Sequence, residues 1–71
     1  MPLTNPAEEA IMGVLRAAPA PLSAREVWHE TQKVRAIELA RTWELLWAMK
    51  DRQLIRTQPG SGLYDGRLWY V

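Results

Sequence analysis

The stretch Ala36-Ile-Glu-Leu-Ala-Arg-Thr-Trp-Glu-Leu-Leu-Trp-Ala-Met-Lys-Asp-Arg-Gln-Leu-Ile55 decides how this chain folds. Turning about 100° per residue, it sets Leu39, Thr42, Trp43, Leu45, Leu46 and Met49 on one side. Arg41, Glu44, Ala48, Asp51 and Arg52 share the other. The spacing predicts an amphipathic helix over about 37–52. Trp43 and Trp47, one turn apart, widen its apolar arc beyond what a single packing face requires. One side must pack inward, and the leftover indole ridge must be covered by something else.

Downstream, Leu54 and Ile55 lead into Arg56-Thr57-Gln58, which reads as a strand over about 54–58. Pro59-Gly60-Ser61-Gly62 has strong turn chemistry, and Asp65-Gly66, after Leu63 and Tyr64, is a second turn signal. Arg67-Leu68-Trp69-Tyr70-Val71 is the best strand of the chain by aromatic and β-branched content. Alternation puts Leu68 and Tyr70 on one face and Arg67, Trp69 and Val71 on the other.

Upstream, Ser23-Ala24-Arg25-Glu26 is a capping box that starts a helix over about 24–32, with Val27 and Thr31 toward the core and Trp28 beside them. Lys33, Val34 and Arg35 make the turn into the long helix. That turn has no glycine, so a loop longer than a tight left-handed turn is expected. Pro19 and Pro21 separate this unit from a first helix over about 6–17, since each removes a backbone donor and restricts its predecessor. Asn5, Pro6 and Glu8 form its start signal. Ala7, Ala10, Ile11, Val14 and Leu15 form its buried stripe, and Met1–Thr4 is a short extended lead.

The whole of 1–71 reads as one domain with a modest core, of the α+β class and mostly α. Three helices followed by a two-stranded β-hairpin wing are the outline of a winged helix-turn-helix. There is no cysteine, so neither a disulfide nor a thiolate metal site can supplement the core. Neither a signal-peptide layout nor an apolar run long enough to span a bilayer is present, and a cytoplasmic location is expected.

Pro6-Ala7-Glu8, Ile11-Met12, Val14-Leu15 and Arg25-Glu26-Val27-Trp28 resemble the N-terminal domain of the penicillinase-repressor family of bacterial regulators. The likeness continues through Thr42, Leu45-Leu46, Met49-Lys50 and Leu54-Ile55 to the Gly-rich wing. It implies binding of operator DNA, with the long helix in the major groove and the hairpin against the backbone. That family dimerises through C-terminal helices, which the likeness, running as far as the wing, does not cover. Leu68-Trp69 is also similar to the wing of Z-DNA-binding winged helices. That family's Asn and Tyr on the recognition helix fall at Trp43 and Trp47, so its function does not carry over.

The formal net charge is only +1, so the distribution of charge matters more than its total. Residues 50–71 hold four basic against two acidic residues, whereas 1–49 hold five against six. The expected DNA contacts are Lys33, Arg35 and Arg41 around the helix-turn-helix and Arg56 and Arg67 on the wing. Ordinary solubilising charge is the competing explanation. Ala40, Arg41, Trp43, Glu44 and Trp47 occupy the recognition side, where only Arg41 is a standard reader of base edges.

Two readings of the indoles stand side by side. Trp43 and Trp47 can form a ridge that docks a protein partner or a second copy, making the domain a dimer or an interaction module. Alternatively, Trp47 packs under the wing against Trp69 while Trp43 covers the core. Enzymatic chemistry finds little support. His29 has no companion at metal-ligand spacing, Ser23 serves its cap and Ser61 its turn, and the wing glycines do not follow a strand and open a helix as a phosphate loop requires. No cofactor is expected.

Overall fold

In a computed structural model of the chain, residues 5–60 and 66–71 are described. The order is α1 (Pro6–Ala17), β1 (Leu22–Ser23), α2 (Ala24–Thr31), α3 (Leu39–Asp51), β2 (Arg56–Pro59) and β3 (Arg67–Tyr70). The chain is α+β and mostly helical, with three helices and a small antiparallel sheet ordered β1-β3-β2. The expected extended lead at Met1–Thr4 and the turn features from Ser61 to Asp65 lie outside the described residues.

Both expected start signals are formed. Asn5 accepts from the Glu8 amide at 2.9 Å while Glu8 accepts from the Asn5 amide at 3.0 Å, and Ser23 and Glu26 repeat the exchange at 3.2 and 3.0 Å. Each box satisfies two of the amides that a helix start leaves without partners. Glu8 is buried at 4% exposure and also accepts from Arg52 Nη1 at 2.7 Å. That ion pair ties the start of α1 to the end of α3, 44 residues away.

The α2–α3 connection is clamped by side chains. Gln32 Nε2 donates to the Ile37 carbonyl at 2.7 Å, the Ile37 amide donates to Gln32 Oε1 at 3.3 Å, and Trp28 Nε1 donates to the same carbonyl at 2.7 Å. Holding Ile37 in this way keeps its backbone groups out of a helix. The long helix accordingly starts at Leu39, two residues later than its periodicity suggests, with Glu38 as an N-cap that makes no side-chain bond.

Two further differences from expectation concern the sheet and a helix end. The sheet has three strands, because Leu22 pairs with Trp69 and Ser23 with Leu68. Helix α3 ends in a Schellman arrangement. The Gln53 amide donates to the Lys50 carbonyl and the Leu54 amide to the Met49 carbonyl, both at 2.9 Å. Gln53 therefore sits at φ 62°, the left-handed conformation that glycine adopts without penalty.

The core joins Ile11 and Leu15 of α1, Val27 of α2, Leu45, Leu46 and Met49 of α3, then Ile55 and Trp69. With no phenylalanine in the chain, Trp69 is the largest completely buried side chain among the described residues. Thr31 and Thr42 are buried as well, each donating its hydroxyl to the carbonyl four residues back, Val27 at 2.7 Å and Glu38 at 3.1 Å.

Two substitutions probe these ends in opposite directions by urea denaturation. Ser23→Ala is expected to lower stability by about 0.5–2 kcal/mol through loss of the cap. Gln53→Gly is expected to raise it by up to about 1 kcal/mol, since relief of the left-handed strain exceeds the added freedom of the unfolded chain.

Candidate nucleic-acid interface

The most distinctive local feature is a cluster of three indoles between α3 and β3. The Trp47 and Trp69 rings lie 5.1 Å apart at 90°, Trp43 and Trp47 5.8 Å apart at 76°, and Trp43 and Trp69 6.1 Å apart at 84°. Such edge-to-face contacts set the positive rim of one ring against the negative face of another. Trp69 is the inner member, Trp47 is half-buried and Trp43 is 37% exposed. The Trp69 Nε1 is buried with no acceptor among the described residues.

Residue spacing explains why the cluster forms. One helical turn separates Trp43 from Trp47, so their rings can meet along α3. Alternation on β3 turns Trp69 and Arg67 to the face opposite Leu68 and Tyr70. Register then places Trp69 opposite Leu22 on one side and Thr57 on the other, making it the central residue of the sheet.

Trp47 also carries two cations. The Arg67 guanidinium lies 5.4 Å and the Lys50 ammonium 5.9 Å from its ring centroid. One indole thus gathers a positive charge from the helix and another from the hairpin, using the attraction between a cation and an aromatic face. Neither cation has a carboxylate partner among the described ion pairs. Together they form a positive edge at the helix–hairpin junction.

The residues singled out in the sequence fall into different settings. Arg67 belongs to this edge. Arg41 is exposed on α3 and paired with Glu44 at 3.4 Å, a solvent-facing contact that a stronger partner can displace. Lys33 is paired with Glu30 at 3.2 Å at the end of α2. Arg35 is exposed at the end of the turn, and Arg56 is exposed on β2 opposite Tyr70. Lys50 was not among the expected contacts. Its position three residues after Trp47 on the same helix is the signal that places it there.

Trp43 and Trp47 do not form a free ridge in this structure. Trp47 packs against Trp69 beneath the hairpin, and Trp43 leans on both rings with part of its surface in solvent. Of the side that periodicity assigns to the core, Thr42, Leu45, Leu46 and Met49 are buried and Trp43 is not. Among the described residues, no group of histidine, aspartate and glutamate is arranged to hold a metal ion. None of the described helices is long and apolar enough to cross a membrane. Compared with known families and with curated proteins, the chain matches no family model and no curated sequence.

Truncation should separate the two α3 indoles. Trp47→Ala is expected to cost about 2–4 kcal/mol and Trp43→Ala about half as much, because only the first removes the ring that Trp69 and both cations share. Guanidinium denaturation of the two variants checks the order. Equal costs would mean that Trp47 is not the centre of the cluster.

Proposed function

We propose that this chain is a winged helix-turn-helix domain that binds double-stranded DNA in a sequence-specific manner, as a transcriptional regulator. In this reading α3 enters the major groove and the β2–β3 hairpin lies against the phosphate backbone. The observation that carries it is the convergence of Lys50 and Arg67 on Trp47. Two cations from the two elements that would straddle a phosphate strand are held in place before any ligand arrives. That reduces the ordering cost of contacts that flexible side chains would otherwise incur.

The remaining contacts follow from exposure and chemistry. Arg35 and Arg56 are exposed and suited to phosphates. Arg41 and Glu44 are the pair with base-reading capacity, since arginine bonds guanine through O6 and N7 and glutamate accepts from the cytosine amine. Their mutual pair is weak enough in solvent to open when base edges are offered. Trp43, at the solvent side of the cluster, adds apolar contact with sugars or thymine methyl groups.

Fluorescence anisotropy with labelled duplexes, titrated at several salt concentrations, tests the reading. Affinity should fall linearly on logarithmic axes as salt rises. Lys50→Gln and Arg67→Gln should each weaken binding to all sequences and flatten the slope by about one unit. Arg41→Ala should instead reduce discrimination between sequences, by about 1–3 kcal/mol at its base pair. A folded protein that fails to bind duplex even at low salt contradicts the proposal. It would favour use of the partly exposed Trp43 surface for a protein partner.

A further inference from the structure

The segment from Gln32 to Glu38 joins α2 to α3 without a glycine, and it is fastened to α2 near both of its ends. Near its start the Lys33 amide donates to the Glu30 carbonyl at 3.2 Å. The buried Thr31 then offers one carbonyl to two amides, Val34 at 2.9 Å and Arg35 at 2.8 Å. Near its finish Ile37 is held by both backbone groups. Its carbonyl accepts from Gln32 Nε2 and Trp28 Nε1, each at 2.7 Å, and its amide donates to Gln32 Oε1 at 3.3 Å. Gln32 Nε2 has a second N–H, which donates to the Trp28 carbonyl at 3.2 Å and anchors the clamp on α2. All three clamp residues are half-buried, where water competes less for such bonds.

Arg35 lies between the two fastenings. It is exposed and belongs to none of the described ion pairs, whereas Lys33 is engaged by Glu30 at 3.2 Å. Helix α3 has little of its own to stop it on this side. Its N-cap, Glu38, makes no side-chain bond, and Ile37 falls within the periodicity that continues into the helix. An Ile37 carbonyl joined to the helical ladder would accept from the Arg41 amide. Gln32 and Trp28 occupy that carbonyl instead, and the ladder opens one residue later, with the Thr42 amide on the Glu38 carbonyl at 2.9 Å. Releasing the clamp frees α3 to lengthen toward Arg35, and each residue taken into the helix turns the chain before it by about 100°.

We propose that Gln32 is a positioning residue for DNA binding: acting through Ile37, with Trp28 beside it, it holds Arg35 where the guanidinium meets a backbone phosphate. The inference rests on the DNA-binding reading above and adds to it a residue that touches no DNA. The clamp removes the other conformations open to the turn, so the ordering cost of the Arg35 contact is met in folding rather than in binding. Such a contact carries no sequence information, and a duplex of any sequence reports on it.

Fluorescence anisotropy with a labelled mixed-sequence duplex of about 20 base pairs reads the contact through the salt dependence of Kd, to which each phosphate contributes about one unit of slope. Arg35→Gln should flatten the slope by about one unit. Gln32→Met keeps the length of the side chain while removing its donors and acceptor, and should flatten the slope nearly as much. In the double variant the two losses should not add. Gln32→Met with Lys50→Gln should instead lose about two units, because Lys50 acts from the far end of α3. Lost stability alone lowers the binding-competent fraction at every salt concentration and leaves the slope unchanged. Trp28→Phe, which removes only one donor to the Ile37 carbonyl, should give a smaller change in the same direction, and it supplies the same cycle with Arg35→Gln if circular dichroism shows Gln32→Met unfolded. The 13Cα shifts of Ala36 and Ile37 should move toward helical values when the clamp is removed. Unmoved shifts, an unchanged slope, or additive losses with Arg35→Gln overturn the proposal while DNA binding stands. Failure of the unaltered protein to bind the duplex at low salt overturns the DNA-binding reading, and this inference with it.

Discussion

The perpendicular packing of Trp69 against Trp47 is the interaction on which the arrangement of this molecule depends. A two-stranded hairpin has little stability by itself in water, and this chain has no disulfide with which to anchor one. Trp69 is inserted from the centre of the sheet into the side of α3, where two further indoles meet it at 5.1 and 6.1 Å. Contacts of this geometry add about 0.5–1.5 kcal/mol each beyond the apolar area they bury. Trp47, against which Trp69 packs, also seats Lys50 and Arg67, so the packing of the hairpin and the position of the positive edge are one physical event.

The opposite end of α3 and its approach are held by polar groups. Glu8 is buried, so its carboxylate depends on Arg52 and the Asn5 amide. Removing the arginine would leave a charge with too little solvation, a larger penalty than the pair itself contributes. The Gln32 amide grips both backbone groups of Ile37 and thereby defines where α3 begins. Helix α3 is thus fixed at its start by α2, at its end by α1 and along its flank by the sheet. That threefold restraint is what a helix presented to a rigid ligand requires.

Local signals in the sequence were legible where they act over one helical turn. Asn5 with Glu8, and Ser23 with Glu26, mark two helix starts because each pair lies three residues apart, and the prolines after Ala18 mark a helix end. The features that a local reading does not reach depend on distant partners. Leu22 and Ser23 look like the end of a proline-broken loop, and become a strand only because Trp69 and Leu68 lie beside them. Arg52 sits on the polar side of α3 by periodicity, yet its partner is Glu8. Gln53 adopts a glycine-like conformation because the Schellman bonds outweigh its strain. At the candidate interface, Arg67 and Arg41 were recognisable as cations, whereas the role of Lys50 emerges only once Trp47 is seen to be shared with the hairpin.

The proposed DNA-binding edge at the junction of α3 and β3 has a direct spectroscopic consequence. In a titration of the 15N-labelled protein with a short DNA duplex at low salt, the backbone amides of Arg41, Glu44, Lys50 and Arg67 and the indole N–H of Trp43 should shift progressively. Gly13 and Val14, on α1, should stay in place. Shifts confined to α1 and α2, or no shift anywhere as duplex is added, would contradict this assignment of the binding face.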